Sequence, residues 1–253
     1  MASIIRRLII TALASVWLAG VATPVLAEDV TVAVAANFTE PAKEIAAAFE
    51  KATGDKVVLS FGSSGQFYTQ IVNGAPFEVF LSADAERPTK AEQAGLAVAG
   101  TRFTYAVGKL VLWSATAGLV DGHGAVLKAG GFSKLSIADP TAAPYGLAAI
   151  QTLKALGVYD QIKPKIVQGS SIAQAFEFVK TGNAELGFVA LSQVIAEPGG
   201  SRWLVPETDH DPIVQQAVLL KPGADSAASR KFLTFLKGGE ARAIIRRFGY
   251  ATS

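Results

Sequence analysis

The chain has 253 residues, is 50% hydrophobic and 17% charged, and therefore has the composition of a folded globular protein. It contains no cysteine and two histidines, which excludes disulfide bonds and would leave a zinc site dependent on several carboxylates. The formal net charge of +2 is too small for the basic surface that nucleic-acid binding requires, so we exclude that class.

The N-terminus has the three parts of a secretory signal peptide. Arg6 and Arg7 form a basic segment, residues 8–18 are apolar, and Val25-Leu26-Ala27 carries the small residues that a signal peptidase recognises. A membrane anchor is the alternative, but the apolar run is short for a bilayer span and is interrupted by polar residues. We predict that residues 1–27 are cleaved during export, which removes both arginines and leaves a mature chain of about zero net charge.

The first part of the mature chain alternates strands with helices. Strands are predicted where β-branched and apolar residues cluster, at 29–36, 56–61 and 78–82. Apolar residues at helical spacing follow each strand, and they predict helices that end at Gly54, at Asn73-Gly74 and, for a helix at about 89–94, before Gly95. This order is typical of a parallel sheet with helices on both faces.

The rest of the chain predicts a second α/β unit and a return to the first. Two long β-type runs, at 103–114 and 213–220, are long enough to leave one sheet and enter another. The segments between them predict strands at 134–138, 165–168 and 186–191 and helices at 145–156 and 172–181. Two short amphipathic helices around Gly238-Gly239 would pack on the first unit.

The predicted fold class is therefore α/β, with two lobes that each contain a sheet covered by helices on both faces. We assign residues 28–107 together with 214–253 to lobe 1 and residues 108–213 to lobe 2. The two long runs would form a two-stranded hinge between the lobes.

Four strand-to-helix turns carry hydrogen-bond donors. In open α/β sheets, ligands bind beyond the carboxyl ends of the strands, which is where these turns lie. The donors are Asn37 in the first turn, Ser63 and Ser64 in the second, Tyr145 in the third, and Ser170 and Ser171 leading into Ile172 in the fourth. Each alone is more commonly a helix cap or a core residue. None of the turns contains lysine or arginine, so together they favour a fully ionised, compact oxyanion held by neutral donors and helix N-termini.

Several segments resemble the periplasmic molybdate-binding proteins of bacterial ABC transporters. They are VAVAANFTEPAKEI, SFGSSGQ, NGAPFEVFLSAD, IADPTAAPYG and KGGEARAIIRRFGY, and the resemblance covers essentially all of residues 28–253. The segment NGAPFEVFLSAD is the most specific of them. The resemblance implies a periplasmic two-lobed binding protein, without a cofactor, that closes on one tetrahedral oxyanion. It also implies a monomer that delivers the anion to a membrane permease with a cytoplasmic ATPase.

The resemblance also implies which residues bind the anion. Carried over by position, the ligands are Asn37, the hydroxyl and N–H of Ser64, Tyr145 and the N–H of Ile172, with Ser63 and Ser171 as weaker candidates. Many members have serine at the position of Asn37. Some members use a tyrosine hydroxyl at the position that Ala190 occupies here, and we expect the hydroxyl of Tyr145 to replace it.

Other functions remain as alternatives. Ser64, His210 and Asp211 are the residue types of a serine hydrolase, but the GSSG turn lacks the G-x-S-x-G elbow of such enzymes. An amino-acid binder would need an arginine for the carboxylate, and the four turns have none. Sulfate, phosphate and tungstate remain open, although phosphate is partly protonated at neutral pH and would require an acceptor. Our interpretation is a non-enzymatic binding protein for molybdate or tungstate.

Overall fold

The computed structural model describes residues 28–252, and the predicted signal peptide at 1–27 lies outside the described residues. Within 28–252, none of the helices combines the length and the hydropathy needed to cross a bilayer. The strands are β1 (Asp29–Ala35), β2 (Lys56–Gly62), β3 (Val79–Ser82), β4 (Phe103–Gly108), β5 (Leu110–Ser114), β6 (Leu135–Ala138), β7 (Ile166–Gly169), β8 (Leu186–Ala190), β9 (Ser201–Leu204) and β10 (Ile213–Leu219). The α-helices are α1 (Thr39–Thr53), α2 (Ser64–Val72), α3 (Glu86–Gln93), α4 (Ala125–Ala129), α5 (Pro144–Ala155), α6 (Tyr159–Ile162), α7 (Ile172–Lys180), α8 (Leu191–Val194), α9 (Ala227–Leu236) and α10 (Gly239–Arg247).

The first sheet has the strand order β2-β1-β3-β10-β4. Strand β1 runs parallel to β2 and β3, as the alternation of strands and helices predicts, whereas β10 is antiparallel to both β3 and β4. One face packs against α1, α9 and α10, where the rings of Phe49 and Phe232 meet edge to face at 5.3 Å. The other face packs against α2 and α3 through residues such as Phe67 and Phe80. The predicted packing of the tail on this lobe is confirmed.

The second sheet has the order β7-β6-β8-β5-β9 and repeats the same design. Strand β6 is parallel to β7 and β8, and β5 is antiparallel to β8 and β9. Leu112, Leu135 and Phe188 are fully buried in the core on one face of this sheet. Phe176 and Val179 of α7 cover the other face. The predicted pair of helix-covered sheets is thus confirmed, with antiparallel strands added to each.

The chain passes between the two sheets twice. Strand β4 ends at Gly108 and β5 begins at Leu110, so Lys109 alone separates a strand of the first sheet from a strand of the second. The chain returns between Leu204 and Ile213. This geometry confirms the prediction that 103–114 leaves one sheet and enters another. The same prediction for 213–220 is wrong, because β10 pairs along its whole length with β3 and β4 of the first sheet and the chain crosses in the segment before it. Residues at the carboxyl ends of strands from both sheets line one shared cavity, so these ends face each other.

The structure differs from the sequence-based prediction at helix α3 and at four short elements. Helix α3 begins at Glu86 rather than at about Thr89, because the carboxylate of Asp84 accepts a hydrogen bond from the N–H of Arg87 at 2.9 Å and organises the first turn. Strand β9 and helices α4, α6 and α8 were not predicted. Each has only four or five residues, which is too short for a periodic pattern.

Candidate functional site

The four predicted turns meet at one small cavity between the lobes. Its volume is about 10 Å³, which is room for about one water-sized sphere. The lining residues come from the turns after β1, β2, β3, β6 and β7, and they are Ala35, Ala36, Asn37, Gly62, Ser63, Ser64, Ala83, Ala143, Pro144, Tyr145 and Ile172. The structure therefore brings Asn37, Ser63, Ser64, Tyr145 and Ile172 together, as the prediction of four convergent turns requires.

Ser64 is the first residue of α2 and is almost fully buried, with 1% of its surface exposed. Its Oγ accepts a hydrogen bond from the N–H of Ala83 at 2.9 Å. No described residue within 28–252 accepts the hydroxyl proton of Ser64, so this proton is available to a guest in the cavity. The N–H of Ser64 is at the helix N-terminus, where no intrahelical acceptor exists. Ser64 can therefore offer two donors to one ligand.

Ser63 and Ser171 serve mainly as helix caps. The Oγ of Ser63 accepts a hydrogen bond from the N–H of Gln66 at 3.3 Å, and the Gln66 side chain accepts one from the N–H of Ser63 in return. Ser171 caps α7 in the same way through the N–H of Gln174, also at 3.3 Å. These bonds hold the N-termini of α2 and α7 in place at the cavity, which makes the two serines structural supports of the site.

Tyr145 contributes a buried hydroxyl from the second residue of α5. The Tyr145 oxygen accepts a hydrogen bond from Nε2 of Gln215 at 3.3 Å, and the residue lines the cavity. Burial raises the pKa of this hydroxyl well above its ordinary value, and the neighbouring Tyr250 and Tyr105 raise it further. The group therefore remains a protonated donor at neutral pH.

Asn37 directs its side chain into a buried polar network behind the cavity. Its Nδ2 donates to Oε1 of Gln215 at 2.9 Å and to the hydroxyl of Tyr250 at 3.0 Å. Its carbonyl oxygen accepts from the hydroxyls of Tyr250 and Ser192, at 2.7 and 2.8 Å. The donor that Asn37 retains for a ligand is thus its backbone N–H, in the first turn of a 3₁₀ segment, where no intrahelical acceptor exists.

Three helix N-termini converge on the cavity together with this 3₁₀ segment. Helices α2, α5 and α7 begin at Ser64, Pro144 and Ile172, all of which line the cavity. The N–H of Ile172 lies in a first turn and has no intrahelical acceptor, and its carbonyl is bound to the side chain of Gln193 at 3.1 Å. Each helix terminus carries a partial positive charge, so the three together favour an anion.

The lining of the cavity carries no formal charge. Tyr145 is the one lining residue that can ionise, and its raised pKa keeps it neutral. A larger pocket of about 470 Å³ shares Ala36 and Asn37 with the site, and its charged lining residues are Glu40, Glu177, Glu197 and Lys180. Lys180 pairs with Glu197, so the other two carboxylates give this pocket a negative charge that would repel an anion. The small neutral cavity is therefore the better candidate for an oxyanion site.

The hydrolase alternative is not supported by the geometry. His210 lines a different pocket, next to Lys109 and Val205, that shares no residue with the cavity of Ser64. Its Nδ1 contacts the carbonyl oxygen of Asp211 at 2.7 Å, and the carboxylate of Asp211 accepts a hydrogen bond from the side chain of Gln151. Neither residue can therefore activate Ser64 in this arrangement.

Comparison with known proteins identifies the family. A family model described as bacterial extracellular solute-binding protein matches residues 30–251 of this chain. The chain belongs to this family of bacterial extracellular solute-binding proteins. It is therefore a binding protein and not an enzyme.

Individual relatives of this solute-binding protein have more specific names. It is 60% identical over 242 residues to the molybdate-binding protein ModA of Rhodobacter capsulatus, covering 96% of this chain and 95% of the relative. It is 58% identical over 227 residues to ModA of Azotobacter vinelandii, covering 88% and 90% of the two chains. The solved structure of the A. vinelandii periplasmic molybdate-binding protein superimposes with a TM-score of 0.86 at 46% identity, covering 88% of this chain and 99% of that one.

The sequence analysis missed three residues that support the site of this solute-binding protein. Gln215 is fully buried on β10 and bonds to both Asn37 and Tyr145. Tyr250, close to the C-terminus, bonds to Asn37, and burial raises the pKa of its hydroxyl to about 12. Gly108 lies against the hydroxyl of Tyr145. The two glutamines within the otherwise apolar run IVQQAVLL were the sequence signal for this network.

Proposed function

We propose that this chain is the periplasmic molybdate-binding protein of an ABC importer, and that it captures the dianion between its two lobes. The convergence of four turns with neutral donors on one small buried cavity is the observation that carries this proposal. The two relatives that are 60% and 58% identical are both named as molybdate-binding proteins. The cavity has room for about one water-sized sphere, so the lobes would part to admit a tetrahedral oxyanion.

The proposed ligand set is the hydroxyl and N–H of Ser64, the hydroxyl and N–H of Tyr145, and the backbone N–H groups of Asn37 and Ile172. A hydrogen bond to a charged group contributes about 1.5–3 kcal/mol. Several such bonds, less the cost of ordering, support a free energy of binding of about −8 kcal/mol, which corresponds to a micromolar Kd. The Tyr145 hydroxyl would supply the donor that Ala190 lacks in this chain.

Selectivity follows from a site that contains only donors. A protonated oxyanion such as hydrogen phosphate would direct its O–H at another donor, and the repulsion would weaken its binding. Sulfate carries the same charge as molybdate and is smaller, so the size of the cavity must separate the two. Tungstate is nearly equal to molybdate in charge and size, and we propose that it binds as well.

Delivery of the anion would require the two lobes to open and close. We take residues 28–107 together with 214–253 as lobe 1 and residues 108–213 as lobe 2, with the hinge at Lys109 and at the returning segment before Ile213. The closed monomer would dock to a membrane permease with its ATPase, in the periplasm, after cleavage of residues 1–27.

Calorimetric titration of the mature chain tests the proposal. We expect saturable binding of one molybdate per chain, similar binding of tungstate, and no heat of binding with sulfate or phosphate at the same concentrations. Stronger binding of sulfate or phosphate than of molybdate would contradict the proposed ligand while leaving the family and fold unaffected.

Ser64→Ala is expected to weaken molybdate binding by about 1–3 kcal/mol, because it removes a hydroxyl donor to a charged ligand. Ser63→Ala is the matched control, since the neighbouring serine caps α2. We expect Ser63→Ala to lower the free energy of unfolding by about 0.5–2 kcal/mol and to have the smaller effect on affinity. Titration and thermal denaturation of both variants check this, and equal affinity losses would remove the special role of Ser64.

Tyr145→Phe is expected to weaken molybdate binding by about 1–3 kcal/mol, because the buried hydroxyl is one of the proposed donors. The variant also removes the acceptor of Gln215, so its unfolding must be measured in parallel. Tyr159→Phe, on the short helix α6 outside the cavity, is the control. An affinity of Tyr145→Phe equal to that of wild type would show that this hydroxyl does not replace the donor missing at Ala190.

A further inference from the structure

Two carbonyl groups in one loop of lobe 2 are hydrogen-bonded directly to lobe 1. The N–H of Gly65, in α2, donates to the carbonyl oxygen of Ala142 at 2.8 Å. The Nη2 of Arg87, in α3, donates to the carbonyl oxygen of Thr141, also at 2.8 Å. These two bonds join the lobes at the edge of the cavity, since the neighbours Ser64 and Ala143 line it.

Arg87 is held in position by its own lobe before it reaches across. Its Nη1 forms an ion pair with Asp84, whose other carboxylate oxygen accepts the N–H of Arg87 at 2.9 Å. Both side chains are 17% exposed, so the pair is largely shielded from water. A guanidinium group can donate to two acceptors through its two terminal nitrogens. Here Nη1 binds Asp84 and Nη2 binds the carbonyl oxygen of Thr141.

Hydrogen bonds within the loop that Arg87 contacts connect Thr141 to the start of α5, where Tyr145 lies. Asp139 Oδ1 accepts hydrogen bonds from both the N–H and the hydroxyl of Thr141, each at 2.8 Å. The carbonyl oxygen of Asp139 accepts the N–H of Ala143 at 2.8 Å. The segment 139–143 is thus a hydrogen-bonded turn that leads directly into α5. A contact that fixes Thr141 therefore also restricts the position of Tyr145.

We propose that Arg87 is a positioning residue that fixes the third turn against the closed cavity and thereby slows release of the bound anion. This inference rests on the proposed function and goes beyond it, since Arg87 does not line the cavity itself. A pocket of about 340 Å³, lined by Gly65, Arg87, Thr141 and Ala142, lies on the outer side of the two contacts. Breaking them would connect this pocket with the cavity and give the anion a way out.

The charge of Arg87 predicts a kinetic signature for this role. Because Asp84 neutralises Arg87, the pair has little net charge with which to attract an anion from solution. Arg87 should therefore affect the dissociation rate of molybdate and leave the association rate nearly unchanged. A residue that steers the anion into the cleft would show the opposite pattern, with a salt-dependent association rate.

The test compares Arg87→Ala and Arg87→Lys with Lys90→Ala. Lys90 is the matched control, because it lies on the same helix, lines the same outer pocket and carries the same charge, but among the described residues it pairs only with Glu86 of its own lobe. Dissociation is measured by chasing radiolabelled molybdate with unlabelled molybdate, and Kd by calorimetry, so that the association rate follows from the two. Thermal denaturation of the unliganded variants verifies folding, and Arg87→Lys carries the test if Arg87→Ala does not fold.

We expect Arg87→Ala to raise the dissociation rate about tenfold to a hundredfold, and Kd in proportion. Arg87→Lys should raise it less, because an ammonium group can reach Asp84 or Thr141 but does not bridge both. Lys90→Ala should stay within about twofold of wild type. A wild-type dissociation rate in folded Arg87→Ala, or a lower association rate with unchanged dissociation, would overturn the inference. Failure of the wild type to bind molybdate would instead overturn the proposed function.

Discussion

Gly65→Ala is expected to weaken molybdate binding about a hundredfold while leaving the unliganded protein at least as stable as wild type. A Cβ at this position would lie 2.8 Å from the Cα of Ala142 and 3.0 Å from its carbonyl oxygen. These are backbone atoms of the opposite lobe and cannot rotate away, so the lobes must remain apart. An overpacked contact costs about 1–3 kcal/mol and the lost hydrogen bond about 1 kcal/mol. The two together correspond to roughly two orders of magnitude in Kd.

The stability of Gly65→Ala should move in the other direction. Gly65 lies in α2 and does not have a positive φ, so alanine fits the local backbone. Alanine is favoured over glycine inside a helix by about 0.5–1 kcal/mol. With the lobes open, the new methyl group meets no partner across the cleft. The variant therefore separates the stability of the fold from the closure of the lobes.

Gly239→Ala is the matched control for Gly65→Ala. It also lies in the first turn of a helix, α10, and a Cβ there would meet no heavy atom within 4 Å. Calorimetric titration and thermal denaturation of both variants give the comparison. Wild-type affinity in Gly65→Ala would mean that the lobes do not close at this contact. A lower melting temperature in the absence of ligand would mean that they stay closed without it.

Gly108→Ala is expected to abolish high-affinity binding and to destabilise the protein as well. A Cβ at Gly108 would lie 2.1 Å from the hydroxyl oxygen of Tyr145 and 2.7 Å from Nε2 of Gln215. The proposed donor must move out of place, which removes a ligand and breaks the bond that orients it. Tyr145 is 1% exposed, so the rearrangement occurs in a packed core and should cost about 1–3 kcal/mol of unfolding free energy.

A double variant tests the physical reason given for Gly108→Ala. Adding Tyr145→Phe removes the oxygen atom that the new methyl group would strike, so part of the lost stability should return. Molybdate affinity should stay at or below that of Tyr145→Phe alone, because the donor is still absent. The two single variants, the double variant and wild type form a complete cycle in thermal denaturation and titration. Strictly additive losses of stability would indicate that the clash is not with the Tyr145 hydroxyl.

The architecture and the place of the site could be predicted from the sequence because they depend on local signals. The alternation of apolar strands with helical stripes indicated both sheets, and the long run at 103–114 marked where the chain leaves the first sheet for the second. Ligand sites in such sheets lie beyond the carboxyl ends of the strands. Hydrogen-bond donors at the turns after β1, β2, β6 and β7 therefore indicated where the site would be.

The contacts that each residue makes within the site could not be predicted from local patterns, because they join residues far apart in the chain. Ser63 and Ser64 are adjacent and chemically identical, and the family resemblance rather than any local pattern ranked Ser64 above Ser63. In the structure, Ser63 accepts the N–H of Gln66 in its own helix, whereas Ser64 accepts the N–H of Ala83 from another element. Asn37 and Gln215 are 178 positions apart in the chain, so no local pattern connects them. Arg87 precedes the helix predicted at about 89–94 and was not singled out, and its contact with Thr141 exists only because the two lobes meet there.

The most direct test of the central claim is a crystal structure of the mature chain with molybdate, in which anomalous scattering locates the molybdenum atom. We expect one molybdenum position in the small cavity between the lobes. Its oxygens should lie about 2.7–3.2 Å from the hydroxyls of Ser64 and Tyr145 and from the backbone nitrogens of Asn37 and Ile172. A molybdenum atom bound elsewhere, for example in the larger pocket that Asn37 and the three glutamates line, would contradict the convergence of the four turns on one oxyanion.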